Sequence, residues 1–241
     1  VKVIGAGGGS IAWLTPEGLI KVGPMSASAV PGPACYNTGG TELTVTDANL
    51  ILGRLGEASL LGGGMTLDKS LSIKAAERLA EASGISDIYE LASGVIDICV
   101  TNMYGAIREV SVERGENPEE MSLFAFGGAG GLHAMLIADR LGMSKVLIPR
   151  DAGNFSAFGM LVSDRRYDFV NSYNRGFVDA NIADIKGRLS QMGDNGRQQL
   201  INDGLDKGLI SILYKVGMRY QGQIFEEELI FTDLNFSLED L

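Results

Sequence analysis

The stretch from Leu123 to Ile148 constrains the fold more than any other part of this sequence. Leu123-Phe124-Ala125-Phe126 is a short apolar strand and Gly127-Gly128-Ala129-Gly130-Gly131 a glycine turn. Leu132 to Leu141 then has a helical pattern, and Lys145 to Ile148 is a second strand. Strand, tight turn, helix and strand within ~30 residues predict a parallel pair joined by a right-handed crossover. The core is therefore expected to be α/β, with a helix N-terminus delivered directly behind a glycine turn.

The rest of the chain is read around that unit. Val1 to Ile4 is β-rich and runs into the glycine loop Gly5 to Ser10, followed by a hairpin of Ile11 to Leu14 and Leu19 to Val22. Gly23 to Gly40, rich in small residues and proline, reads as a long ordered loop. Thr46 is placed as the N-cap of a short helix from Asp47 to Arg54, and Gly62-Gly63-Gly64 breaks the chain again. Asp68 caps a helix that runs to Ser83, with Gly84 as its terminator. Ser86 caps a longer one, Asp87 to Arg114. On it Ile88, Leu91, Val95, Ile98, Cys99, Met103, Ile107 and Val110 recur every three or four positions as one buried stripe. Beyond the parallel pair, 154–163 reads as a helix and Tyr167 to Tyr173 as a strand. After Gly176 a polar helix, Ala180 to Asp203, precedes two alternating strands, Ile210 to Tyr220 and Gln223 to Phe231. A boundary near residue 176 is expected, giving a core of 1–176 and a smaller α+β segment of 177–241. The acidic end, Asn235 to Leu241, carries no closing element, and Val1 is not a methionine, so the chain is expected to begin inside a longer polypeptide.

Composition narrows the function. Glycine is 33 of 241 residues, about twice the usual ~7%, and it is clustered. A net charge of −10 repels a phosphate backbone, so nucleic acid is disfavoured as a partner and none is expected. No run approaches the ~20 apolar residues of a membrane span and no signal peptide opens the chain. Two cysteines and one histidine are too few for a disulfide framework or a Cys/His zinc site, which fits a reducing, cytoplasmic setting.

Each chemical motif admits a functional and a structural reading. Gly127, Gly128 and Gly130 place unpaired amides and a helix dipole where an anion or nucleotide binds, or they let helix and strand pack closely. The spacing matches neither a Walker A loop nor the full dinucleotide fingerprint. His133, on the first turn of that helix, is a candidate proton carrier or a histidine hydrogen-bonded within the fold. Gly7, Gly8 and Gly9 cradle phosphate or mark a bulge. Thr44-Val45-Thr46-Asp47-Ala48-Asn49 holds Mg²⁺ with its waters or caps the helix. Cys35 lacks a neighbouring base in sequence and reads as inert, and Cys99 as core. Asp47 and His133 are the polar catalytic candidates nearest the glycine loops.

Four motifs in order carry a resemblance. They are Gly5-Ala6-Gly7-Gly8-Gly9-Ser10-Ile11-Ala12, Pro31-Gly32-Pro33-Ala34-Cys35-Tyr36, Gly39-Gly40-Thr41-Glu42 through Thr44 to Asn49, and Phe126-Gly127-Gly128-Ala129-Gly130. In these the chain resembles the hydantoinase A/5-oxoprolinase family, which includes acetone carboxylase β-subunits. Asn102-Met103 through Val112-Glu113-Arg114-Gly115, Ser156-Ala157-Phe158-Gly159 and Arg219-Tyr220-Gln221-Gly222-Gln223 extend the likeness. The resemblance implies an actin-like ATPase lobe of the sugar kinase and Hsp70 type, in which ATP activates a carbonyl by phosphorylation. It implies a cyclic-amide or ketone substrate, ATP with Mg²⁺, and a nucleoside lying against Gly127, Gly128 and Gly130. It also implies two partners, an upstream half of the same subunit and a hydantoinase B-type second subunit. The family's phosphate loops and metal-binding residues are expected upstream of residue 1. Only Gly39-Gly40-Thr41 approaches the Asp-x-Gly-Gly-Thr pattern, without its acid, and Gly131 stands where the family commonly has proline. The expected function is thus the adenosine side of an ATP-dependent cyclic-amide hydrolase, inactive alone. A carboxylase fragment and a non-catalytic interaction module are the alternatives.

Overall fold

The computed structural model describes residues 3–57 and 64–241 and divides into two compact units, one up to Leu161 and one from Val162 to Leu241. The expected strand at Val1 to Ile4 lies partly outside the described residues, and Val3 and Ile4 are not in a strand. The break expected at Gly62 and Gly63 also lies outside them.

The first unit opens on an antiparallel hairpin of β1 (Ser10–Leu14) and β2 (Ile20–Ser26), with Ala12 opposite Val22 and a bulge between Ser10 and Ala12. Three helices follow, α1 (Val45–Ile51), α2 (Lys69–Ser83) and α3 (Ile88–Val110). The cap of α1 is Thr44 and not Thr46. From position 44 the hydroxyl meets the Asp47 amide while the Asp47 carboxylate returns to the Thr44 amide, a reciprocal capping box that Thr46 cannot form. Asp68 and Gly84 bound α2 as expected, with Gly84 in the left-handed region. The N-cap of α3 is Asp87 in place of Ser86, because its carboxylate accepts from the Tyr89 amide at 2.8 Å.

The core of this unit is built on α3. Leu91, Val95 and Cys99 are fully buried as the period predicts, and Ala92, Ile96 and Val100 widen the stripe. Ala75, Ala76 and Ala80 of α2 join Val45, Ala48 and Ile51 of α1 in the same cluster, where small side chains let helix backbones approach closely. The helix outruns this core: Val110 is 41% exposed, α3 ends there, and a short 3₁₀ turn carries the chain to Gly115.

The expected crossover unit is present. β3 (Ser122–Phe124) and β4 (Lys145–Leu147) are parallel, with Leu123 beside Val146, and α4 (Gly130–Leu141) connects them. A fifth helix, α5 (Phe155–Val162), presents Phe158, Met160 and Leu161 to solvent.

The second unit contains α6 (Ile182–Asn202) and the antiparallel pair β5 (Tyr214–Met218) and β6 (Glu227–Phe231). Two expectations are corrected here. Tyr167 to Tyr173 forms no strand; its alternating aromatics turn onto α6, where the Phe169 ring lies over Gly196, and the Tyr167 hydroxyl donates to Asp203 at 2.7 Å. The acidic end does carry a closing element: Phe236 is 5% exposed, stacks on Phe231 at 4.1 Å and packs with Ile185 and Leu189. Among the described residues no helix is long and apolar enough to cross a membrane.

Because α3 supplies the shared face of the first core, Leu91→Ala is expected to lower stability by about 2–5 kcal/mol. Urea denaturation checks this, and a loss below 1 kcal/mol would show that α3 is not the packing centre.

Candidate functional site

Two glycine segments distant in sequence meet in the first unit. Gly8 is held by Thr46, whose amide and hydroxyl both donate to the Gly8 carbonyl, at 2.8 and 2.9 Å. A Cβ at Gly8 would lie 3.9 Å from the Ala129 side chain, so the first loop rests against the turn that starts α4. Between them is a cleft of about 310 Å³. Ala6 and Gly7 line it from the first loop, Leu123 and Phe124 from β3, Ala125 and Phe126 from the residues just after it, Ala129 and Gly130 from the turn, and Met103 from α3. Phe124 and Phe126 are each nearly half exposed and pack on Phe155, with ring centroids 5.2 and 5.4 Å away.

The polar groups facing this apolar slot are few. No side chain caps α4, and among the described residues the amides of Gly130 and Gly131 find no acceptor, so the positive end of the helix dipole is open. His133 is 1% exposed and lines the cleft, yet neither ring nitrogen has a hydrogen-bond partner. Among the described residues Asn49 Oδ1 is the other buried side-chain atom in that condition, but the Asn49 amide still donates to the Val45 carbonyl. Burial, then the nearby charge of Arg54, push the His133 pKa below its ordinary value, so the ring is neutral near pH 7.

The structure sorts the six candidate glycines into two kinds. At Gly7, Gly127 and Gly128 an added Cβ would meet nothing within 4 Å, which makes them bare backbone facing open space. Gly127 also sits at φ +89°, a left-handed conformation that favours glycine. Gly130 has only an ordinary contact, 3.8 Å to Ala125. Gly8 and Gly9 are instead closely packed, since a Cβ would come within 2.8 Å of Thr46 Oγ1 and Ser26 Oγ respectively and a hydroxyl would have to shift.

Comparison with known proteins then decides the family. The model for hydantoinase/oxoprolinase proteins matches residues 1–169. The chain belongs to the hydantoinase/oxoprolinase family. It is 42% identical over 230 residues to caprolactamase subunit alpha of Pseudomonas jessenii, an alignment covering 94% of this chain and 33% of that protein. It is 33% identical to 5-oxoprolinase 1 of Arabidopsis thaliana, over 92% of this chain and 19% of the relative. The crystal structure of the ATP-dependent caprolactamase from P. jessenii superposes with a TM-score of 0.71 at 39% identity, covering 98% of this chain and 35% of that one. Nucleotide-free acetone carboxylase superposes with a TM-score of 0.66 at 28% identity, over 93% and 33%. The chain thus spans about a third of the length of the caprolactamase subunit.

In this hydantoinase/oxoprolinase chain Asp47 and His133 have different surroundings. Asp47 is fully buried, and its carboxylate accepts from the amides of Ala34, Cys35 and Thr44 and from the hydroxyls of Thr44 and Ser72, at 2.7 to 3.2 Å. With both oxygens committed, the Thr44–Asn49 segment does not fit a Mg²⁺ site. Among the described residues no group of three or more His, Cys, Asp or Glu is gathered around a metal-sized space. Cys35 is buried beside Asp47; burial, then the carboxylate charge, push its thiol pKa far up, which makes it inert as a nucleophile. Burial raises Cys99 to about 11.

The sequence did not disclose that Met103 and Phe124 line the cleft or that Arg54 acts on His133. Met103 reads there only as part of the α3 stripe, and Arg54 approaches His133 through tertiary packing.

Two outcomes follow from these environments. Asp47→Ala leaves five donors without their acceptor and is expected to lower stability by at least ~3 kcal/mol, with Asp47→Asn intermediate, as read from urea unfolding. For His133 the native pKa lies below the unfolded value of 6.5, so its contribution is complete above pH 6.5. It declines as acid protonates the unfolded state, until pH passes the native pKa. The stability difference between wild type and His133→Phe should therefore fall by up to about 1.4 kcal/mol per pH unit below 6.5. A difference independent of pH from 7.5 to 5 would contradict a buried neutral ring.

Proposed function

We propose that this chain supplies the adenosine side of the nucleotide site in an ATP-dependent enzyme that opens cyclic amides, within an actin-like ATPase lobe. The observation that carries the reading is the cleft itself. Bare glycine backbone at Gly7, an uncapped twelve-residue helix starting at Gly130 and an unpartnered buried His133 converge on one slot, and Gly127 and Gly128 stand in the turn that leads to it. Gly7 and Gly128 face open space without a left-handed backbone, so neither packing nor conformation requires glycine there, whereas a ligand pressed against the backbone supplies a reason. The residues present thus fit a nucleoside and not a metal. ATP, when bound, supplies a phosphoryl group that activates the amide carbonyl towards water; this chain's part is to hold and orient the nucleoside end.

Among the relatives, the similarity to the ATP-dependent caprolactamase exceeds that to the acetone carboxylase, which favours a lactam-type substrate over a ketone. The groups that bind phosphates and Mg²⁺ are assigned to the rest of the assembly, either a further segment of the subunit or a hydantoinase B-type partner. The chain alone is then expected to bind ATP without turning over a lactam.

Gly128 provides the test, because it stands in the turn ahead of α4, a Cβ there would meet no protein atom within 4 Å, and the position needs no left-handed backbone. Gly128→Leu is expected to keep its stability within ~0.5 kcal/mol while calorimetric ATP affinity falls at least tenfold. Unchanged affinity in a folded variant, or a wild-type chain that binds no ATP, would overturn the reading.

A further inference from the structure

We propose that His133 is the binding residue for the nucleobase: its neutral imidazole hydrogen-bonds the edge of the adenine ring, which occupies the slot between Gly7 and the Phe124–Phe126 segment at the end of β3. This rests on the nucleotide reading above and assigns a side chain to it. The cleft is lined by Ala, Met, Leu, Phe and Ile side chains, with His133 the one polar side chain among them. Among the described residues no lysine or arginine lines it. A triphosphate would enter such a slot without a counter-charge, which is unfavourable. A flat heteroaromatic ring buries its faces against apolar walls and needs only one or two polar contacts at its edge.

His133 meets that need chemically. A neutral imidazole has one N–H donor and one acceptor nitrogen, and adenine presents ring-nitrogen acceptors and an exocyclic amine donor along its edge. Both His133 nitrogens are buried and unpartnered. Leaving them so carries a desolvation penalty that a hydrogen bond from a ligand would remove. Depression of the His133 pKa by burial and by Arg54 keeps the ring in the neutral form that this contact uses.

One property of the sequence makes the test direct: His133 is the only histidine among the 241 residues, so its ring signals need no assignment. The chain labelled with ¹⁵N in its imidazole is titrated with ATP, adenosine and inorganic tripolyphosphate. ATP and adenosine are expected to shift the ring-nitrogen resonances of His133 and tripolyphosphate to leave them in place. His133→Phe, which keeps a ring of similar size, is expected to remain folded and to bind adenosine at least tenfold more weakly. If ATP binds by calorimetry but leaves the imidazole signals unmoved, or if folded His133→Phe binds adenosine as tightly as wild type, the base is not read by His133 and only this proposal falls. Should tripolyphosphate alone move the signals, the slot holds phosphate and the assignment is reversed. If wild type binds neither ATP nor adenosine, the nucleotide reading fails and this proposal fails with it.

Discussion

One buried carboxylate organises the first unit. Among the described residues no cation is paired with Asp47; five hydrogen-bond donors from three separate segments surround its carboxylate instead. An ionised group in an apolar interior is tolerated only when its lone pairs are fully used, and here they are. The same five contacts tie the turn at Ala34-Cys35, the first turn of α1 and Ser72 of α2 into one node. From that node the geometry propagates. With α1 started at Thr44, Thr46 falls where its amide and hydroxyl both reach Gly8, and the first glycine loop is thereby held against the turn of α4. The cleft exists because a helix cap is in the right register.

This dependence explains why Asp47 is close to function in sequence and yet structural in its contacts. A carboxylate flanked by hydroxyls and followed by an amide is the composition of a metal site and equally of a capping box. Residue types alone do not separate the two. The separation comes from Ala34, Cys35 and Ser72, donors that the local motif does not contain.

What the sequence disclosed and what it did not divide along the same physical line. Periodic and local signals were legible: the β3–α4–β4 crossover, the Asp68 and Gly84 bounds of α2, and the Leu91-Val95-Cys99 stripe all depend on neighbours within a few residues. Caps displaced by one or two positions, at Thr44 and Asp87, turned on which carboxylate or hydroxyl reached an amide. Tertiary packing decided the rest. Tyr167 to Tyr173 has a strand's alternation but lies against α6, and Phe236 closes the second core from within an acidic tail. The family resemblance located the glycine turns, but it could not tell that Gly8 and Gly9 serve packing while Gly7 and Gly128 face open space.

That last distinction bears on how such a site is built. Packing glycines fix the loops, so the backbone approaches another segment more closely than any side chain would allow. Open glycines leave the resulting surface bare for a ligand. A loop of the second kind alone would have nothing to hold its shape, and one of the first kind alone would offer no surface. The Gly7-Gly8-Gly9 run has both in adjacent residues: Gly8 anchored by Thr46 and Gly9 by the Ala27 amide that donates to its carbonyl, Gly7 exposed to the cleft. Preorganised backbone of this sort lowers the ordering penalty of binding. It also assigns chemical selectivity to whatever polar side chain remains, which in this slot is His133.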